Sequence, residues 1–219
     1  MYQRFWKRII DLVLSGMGII IGSLPMLLIA LLIKISDPGP ALFCQKRVGI
    51  HKKHFMLLKF RSMKMSTPHD IPTHQLENPE QYLLGFGAFL RKYSLDELPQ
   101  LFNIFWGDMT LIGPRPALWN QYDLIAEREK YGANDVKPGL SGLAQIRGRD
   151  ELEIPEKARL DGEYVKRMSF PLDCQCFFGT IGKVLKHDGV VEGGTGKMGR
   201  QGQKNRKTSD WKTKKVDLK

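Results

Sequence analysis

Polar and apolar positions divide the chain into two regimes. From Leu12 to Ile33 there are 22 consecutive uncharged residues, mostly Leu and Ile, which as a straight helix would rise about 33 Å and so cross a hydrocarbon core. After the turn cluster Asp37-Pro38-Gly39-Pro40 the pattern becomes that of an ordinary small domain. Ala41 to Val48 and Phe55 to Phe60 read as short strands joined by the basic turn Gly49-Ile50-His51-Lys52-Lys53, a β-hairpin. Met65 to Pro79 reads as a surface loop and Glu80 to Tyr93 as helical. Leu98, Leu101, Phe102 and Phe105 then recur at helical spacing, a stripe widened by Asn103, Ile104 and Trp106. Ile154 to Met168 and Cys176 to His187 read as the last helices. The predicted fold class is α+β and predominantly helical: an N-terminal membrane helix, then a small domain with a short β-hairpin.

Gly16, Gly18, Gly22, Ser23 and Pro25 interrupt the apolar run. Pro25 removes a backbone donor and clashes with the carbonyl four residues earlier, so a break is expected between Ser23 and Pro25. Arg4, Lys7 and Arg8 precede the run while Lys34, Lys46 and Arg47 follow it. The positive-inside rule would keep both flanks on the cytoplasmic side, which a re-entrant helix satisfies; a plain span leaves one basic cluster outside. A secretory signal is disfavoured, because the run exceeds a 7–15-residue apolar region and no small-x-small cleavage pattern follows. The expected domains are 1–36, a membrane-inserted re-entrant helix; 37–190, a cytoplasmic membrane-associated catalytic domain; and 191–219, a flexible basic tail.

The formal net charge is +11. From Arg200 to Lys219 there are eight Lys/Arg against Asp210 and Asp217, so half the basicity is peripheral, suited to an anionic lipid surface or to solubility. A membrane-tethered basic module binding nucleic acid or anionic lipid is therefore the alternative to an enzyme. It is disfavoured, and no nucleic-acid partner is expected, because the basic residues lack interleaved aromatics. Cys44, Cys174 and Cys176 are odd in number and form no disulfide framework, and Cys174-Gln175-Cys176 has no second pair to complete a metal site.

The candidate chemistry lies at Asp96-Glu97. Ser94-Leu95-Asp96-Glu97 has capping-box spacing, which would place both acids in a helix first turn, where the peptide dipole favours the ionised carboxylate. Pro99 sits late for a first-turn proline, so the helix either begins later than the cap implies or starts irregularly. An anionic Asp96 is a candidate nucleophile toward phosphorus if arginines or a metal neutralise the phosphoryl charge; Arg91, Arg115, Arg147 and Arg149 are candidate neutralisers, and Mg²⁺ suits a hard site of one or two carboxylates. Gly113-Pro114-Arg115-Pro116 and Lys137-Pro138-Gly139-Leu140-Ser141-Gly142 read as anion-binding loops.

Taken in order, Lys7-Arg8-Ile9-Ile10-Asp11, Lys59-Phe60-Arg61-Ser62-Met63, Ser94 through Asn103, Gly107-Asp108-Met109, Gly113 through Pro116 and Lys137 through Gly142 resemble the bacterial sugar transferases called monotopic phosphoglycosyl transferases, in their minimal catalytic form, over about residues 1 to 190. The resemblance implies a membrane helix broken at a Ser-Pro step, here Ser23-Leu24-Pro25, and a catalytic domain on the cytoplasmic face of the bacterial inner membrane. It implies transfer of a sugar 1-phosphate from a UDP-sugar to undecaprenyl phosphate with release of UMP, as the first membrane step of polysaccharide, O-antigen or glycoprotein assembly. Asp96 is the implied nucleophile, forming a covalent phospho-sugar intermediate, with Glu97 as its dyad partner and both as ligands of the Mg²⁺ cofactor. Arg115 is assigned to the diphosphate, and Lys59, Arg91 and Arg147 to supporting charge. Downstream glycosyltransferases and a second copy of the chain are candidate further partners.

Overall fold

The computed structural model describes residues 2–67, 79–148 and 152–186; the loop positions 68–78, with His69 and His74, Arg149 and the tail 191–219 lie outside them. A π-helical turn, Tyr2–Trp6, leads into α1 (Lys7–Ser36). The hairpin follows as predicted: β1 (Leu42–Val48) pairs antiparallel with β2 (His54–Phe60), with Phe43 opposite Lys59. The stretch read as one helix from Glu80 to Tyr93 is divided into a 3-10 turn, Pro79–Tyr82, and α2 (Gly87–Lys92). Next come α3 (Gln100–Trp106), β3 (Thr110–Ile112), α4 (Tyr122–Glu129), β4 (Gly139–Ser141), α5 (Leu143–Arg147), α6 (Ile154–Arg167) and α7 (Phe170–Lys186). β3 and β4 pair in parallel, so the two loops read as anion sites are strand neighbours.

One face of α1 lies against the domain. Lys7, Asp11 and Ser15, one turn apart, and then Met26 and Ile33 are buried. Gly16 and Gly18 let Phe105 and Leu101 of α3 approach the helix backbone, and Met26 and Ile33 join Ala41, Phe60, Leu84 and Leu90 in one cluster of the core. Polar ties close both ends. At the start, Lys7 pairs with Asp173 of α7, which also accepts from Tyr2 (2.6 Å) and Tyr164 (2.7 Å). Asp11 accepts from the Thr110 hydroxyl (2.7 Å) and the Leu111 amide (2.9 Å). At the far end, buried Arg61 pairs with Asp37, and its Nε donates to the Pro40 carbonyl at 2.9 Å.

The opposite face of α1 is bare: Ile20, Ile21, Leu24, Leu27, Leu31 and Ile35 are exposed, and only 11% of the most apolar 18-residue stretch is buried. Each such side chain gives up roughly 1.5–3 kcal/mol by staying in water, so this face suits an apolar surrounding better than water. α1 is a single helix with Pro25 inside it, rather than two separated segments. The exposed Ser23 hydroxyl donates to the Ile20 carbonyl at 2.8 Å, a local bond one turn back along the same helix.

Candidate active site

Four short pieces of chain bring the charged residues together. Lys59 comes from β2, Arg91 from the last turn of α2, Asp96 and Glu97 from a 3-10 turn (Leu95–Glu97), and Arg115 from the loop after β3. The capping box does not form. Ser94 adopts a left-handed conformation (φ 56°) with no side-chain bond to the turn amides, and α3 begins only at Gln100, after Pro99. The irregular start is what Pro99 imposes, since its ring excludes a regular helix running through it from Ser94.

Asn103 holds β2 beside this turn. Buried in the apolar stripe, it accepts from the Leu58 amide and donates to the Met56 carbonyl, both at 2.9 Å, and so fixes where Lys59 projects. In the sequence Asn103 sits within the apolar stripe from Leu98 to Phe105, and a lone amide in such a stripe is the signal of its role.

Lys59 Nζ donates to Glu97 Oε1 at 2.8 Å and lies 3.9 Å from Asp96 Oδ2. Arg115 grips Glu97 with two nitrogens, Nη2 on Oε1 and Nη1 on Oε2 at 3.3 Å. Arg91 donates from Nε to the Ser62 hydroxyl at 2.9 Å, and its charge acts on Asp96. Arg147, at the end of α5, acts on the Cys176 thiol of α7, which burial pushes up to about 11. Ser23 and Pro25 belong to the exposed face of α1. Thus Lys59, Arg91, Asp96, Glu97 and Arg115 form one constellation, with Arg147 assigned to α5 and its packing on α7.

The two carboxyls differ. Burial pushes Asp96 above the usual carboxylate range, opposed by Lys59 and reinforced by the Glu97 charge. The dipole of a helix first turn, expected to ease its ionisation, is missing because the turn is not the start of α3. Burial alone would raise Glu97 as well, but Arg115 and Lys59, by charge and by hydrogen bonds, outweigh it and hold the group well below its ordinary value. Asp96 accepts no hydrogen bond among the described residues, so its oxygens are available to a ligand. No group of three or more His, Cys, Asp or Glu gathers among the described residues. A pair of hard carboxylates without a protein cage is a donor set that suits Mg²⁺ when other oxygen ligands complete it.

The glycines of the two loops serve packing. A Cβ on Gly142 would stand 2.2 Å from the Gly113 carbonyl oxygen, and one on Gly139 would stand 2.1 Å from the Gly113 nitrogen. Gly113 N donates to Ser141 O (2.7 Å) and Gly139 N to Pro114 O (2.8 Å), so this interlock sets the position of Arg115.

The sequence model of the family described as bacterial sugar transferase matches residues 2–187, which include every residue of this constellation. The chain belongs to the bacterial sugar transferase family. Among curated relatives, the undecaprenyl-phosphate galactose phosphotransferase of Salmonella typhimurium is 37% identical over 203 residues, covering 86% of this chain and 42% of that protein. The UDP-glucose:undecaprenyl-phosphate glucose-1-phosphate transferase of Escherichia coli is 37% identical, covering 83% of this chain and 40% of that protein. A Bacillus subtilis protein described as the uncharacterized sugar transferase EpsL, also 37% identical, matches over 85% of this chain and 90% of its own length. The chain therefore spans less than half the length of the Salmonella and Escherichia relatives and nearly all of the Bacillus one.

Proposed function

We propose that the protein transfers a sugar 1-phosphate from a UDP-sugar to undecaprenyl phosphate, releasing UMP. The observation that carries this reading is the Asp96-Glu97 pair set among Lys59, Arg91 and Arg115 in a domain whose first helix presents a bare apolar face: phosphate-binding charge and a carboxylate nucleophile beside a lipid phase. The relatives named for undecaprenyl phosphate and UDP-glucose support the same substrates.

In the proposed mechanism Arg115 and Arg91 receive the diphosphate. An Asp96 oxygen attacks the sugar-bearing phosphorus; the new O–P bond forms as the bond to the bridging oxygen breaks, and UMP leaves with that electron pair. An oxygen of the polyprenyl phosphate then attacks the same phosphorus, Asp96 departs as a carboxylate, and the product is a polyprenyl diphosphate sugar. A bound Mg²⁺, held by Asp96 and Glu97 with substrate phosphates, would neutralise charge on the transferred and departing groups. Lys59 keeps Glu97 anionic and eases the ionisation of Asp96. The catalytic domain would lie on the cytoplasmic face of the inner membrane, with α1 entering and leaving the same leaflet; the basic flanks and the attachment of both helix ends to one domain support this topology.

The test is UMP release from a panel of UDP-sugars by protein in nanodiscs containing undecaprenyl phosphate and Mg²⁺. Wild type should release UMP with one or a few sugars, and Asp96→Asn should fall to background while remaining in the membrane. Normal turnover by that variant would rule out the covalent route.

A further inference from the structure

The two carboxylates do not offer the same reception to a cation. Asp96 accepts no hydrogen bond among the described residues and has Lys59 near it at 3.9 Å, whereas both oxygens of Glu97 are occupied, Oε1 by Lys59 (2.8 Å) and Arg115, and Oε2 by Arg115 (3.3 Å). Lys59, Arg91 and Arg115 all act on this pair of acids. These five residues carry three positive charges against two negative ones, an arrangement that favours a diphosphate over a divalent cation. Of the two residues that hold Glu97, Lys59 projects from a strand residue paired with Phe43, and its side chain is 18% exposed. Arg115 projects from a loop with its side chain 37% exposed. A guanidinium accepts a phosphate in the same bidentate fashion as a carboxylate.

We propose that Arg115 closes the site to metal: without nucleotide it is the counter-ion of Glu97, and an arriving diphosphate draws it away and frees Glu97 for the cation. This rests on the reading of the substrate as a nucleotide diphosphate. The exchange makes and breaks only hydrogen bonds and ion pairs. A carboxylate oxygen vacated by Arg115 is a hard ligand of the kind a divalent cation takes. Metal and nucleotide binding are then coupled, each tightening the other by the same factor.

Mn²⁺ is the probe, followed by electron paramagnetic resonance on the full chain in nanodiscs with and without UDP, the Mn²⁺ held by UDP itself being subtracted from a parallel protein-free titration. Wild type should bind Mn²⁺ weakly alone and roughly tenfold or more tightly with UDP, within the range usual for coupled sites. In Arg115→Gln the nucleotide-free affinity should rise several-fold and the enhancement by UDP should shrink toward none. Arg115→Lys, with one contact in place of two, should fall between them, and it carries the test if thermal scans show the Gln variant unfolded. A folded variant that binds Mn²⁺ no more tightly than wild type without nucleotide overturns the proposal. UMP release by the same wild-type preparation, scored separately, reports on the reaction itself.

Discussion

Asp96 is held where its charge is costly to the fold. Its carboxyl is raised by burial, so ionisation destabilises the folded state progressively as pH rises above the ordinary carboxylate range. Asp96→Asn should therefore raise Tm while abolishing turnover. A relieved strain of about 0.5–2 kcal/mol, at roughly 2–4 °C per kcal/mol for a chain of this size, gives a rise of a few degrees in thermal scans of nanodisc samples; a lowered Tm would contradict it. The same shift sets the acid limb of activity. A nucleophile must be ionised, so kcat/KM should fall as pH drops through the raised value of Asp96, above the usual carboxylate range. Lys59 is the strongest influence lowering that value, so Lys59→Gln should move the limb to higher pH in a pH–rate profile, and an unmoved limb would remove Lys59 from this role. Glu97 runs the other way: held below its ordinary value, it contributes stability above that value which is lost only as pH falls through its depressed one. The identity of the two acids was legible in the sequence; their inequality was not, because it depends on Lys59 and Arg115, which lie 37 and 19 positions from Asp96 along the chain.

At the scale of elements, the interlocked loops make the sharpest prediction. The Cβ of Gly142→Ala would meet a backbone oxygen at 2.2 Å, and backbone cannot turn aside as a side chain can. Overpacking of this kind costs about 1–3 kcal/mol, and splaying the loops displaces Arg115, so Tm should fall and KM for the UDP-sugar should rise. Gly85→Ala, where a Cβ meets nothing within 4 Å, is the matched control and should change neither. Equal behaviour of the two variants would mean that the interlock does not position Arg115. Periodicity accounts for which elements the sequence reveals. The hairpin and α6 repeat their apolar positions over enough residues to be read, and α3 is readable from Leu98 to Phe105. β3 and β4 have three residues each and pair in parallel across an intervening helix, so no local pattern marks them. The turn Leu95–Glu97 carried a capping-box signature that was overridden by the left-handed Ser94 and by Pro99.

For the whole molecule, the question is on which side of the bilayer the ends of α1 lie. A 30-residue helix is about 45 Å long if straight, long enough to separate its ends across a membrane. Yet Lys7 is paired with Asp173 at one end and the partly exposed Asp37 with buried Arg61 at the other, and breaking a buried pair such as Lys7–Asp173 costs about 3–5 kcal/mol. All four side chains are held within one domain, and α1 is the only helix among the described residues long and apolar enough to cross. Both pairs can persist only if the two ends share a face of the membrane. Gln3→Cys and Ser36→Cys, each exposed, placed singly in a background with Cys44, Cys174 and Cys176 replaced, should both resist a membrane-impermeant maleimide in spheroplasts and both react in inverted vesicles. Labelling from opposite sides would establish a plain span, and would mean that one of the two ion pairs is absent from the membrane-bound protein.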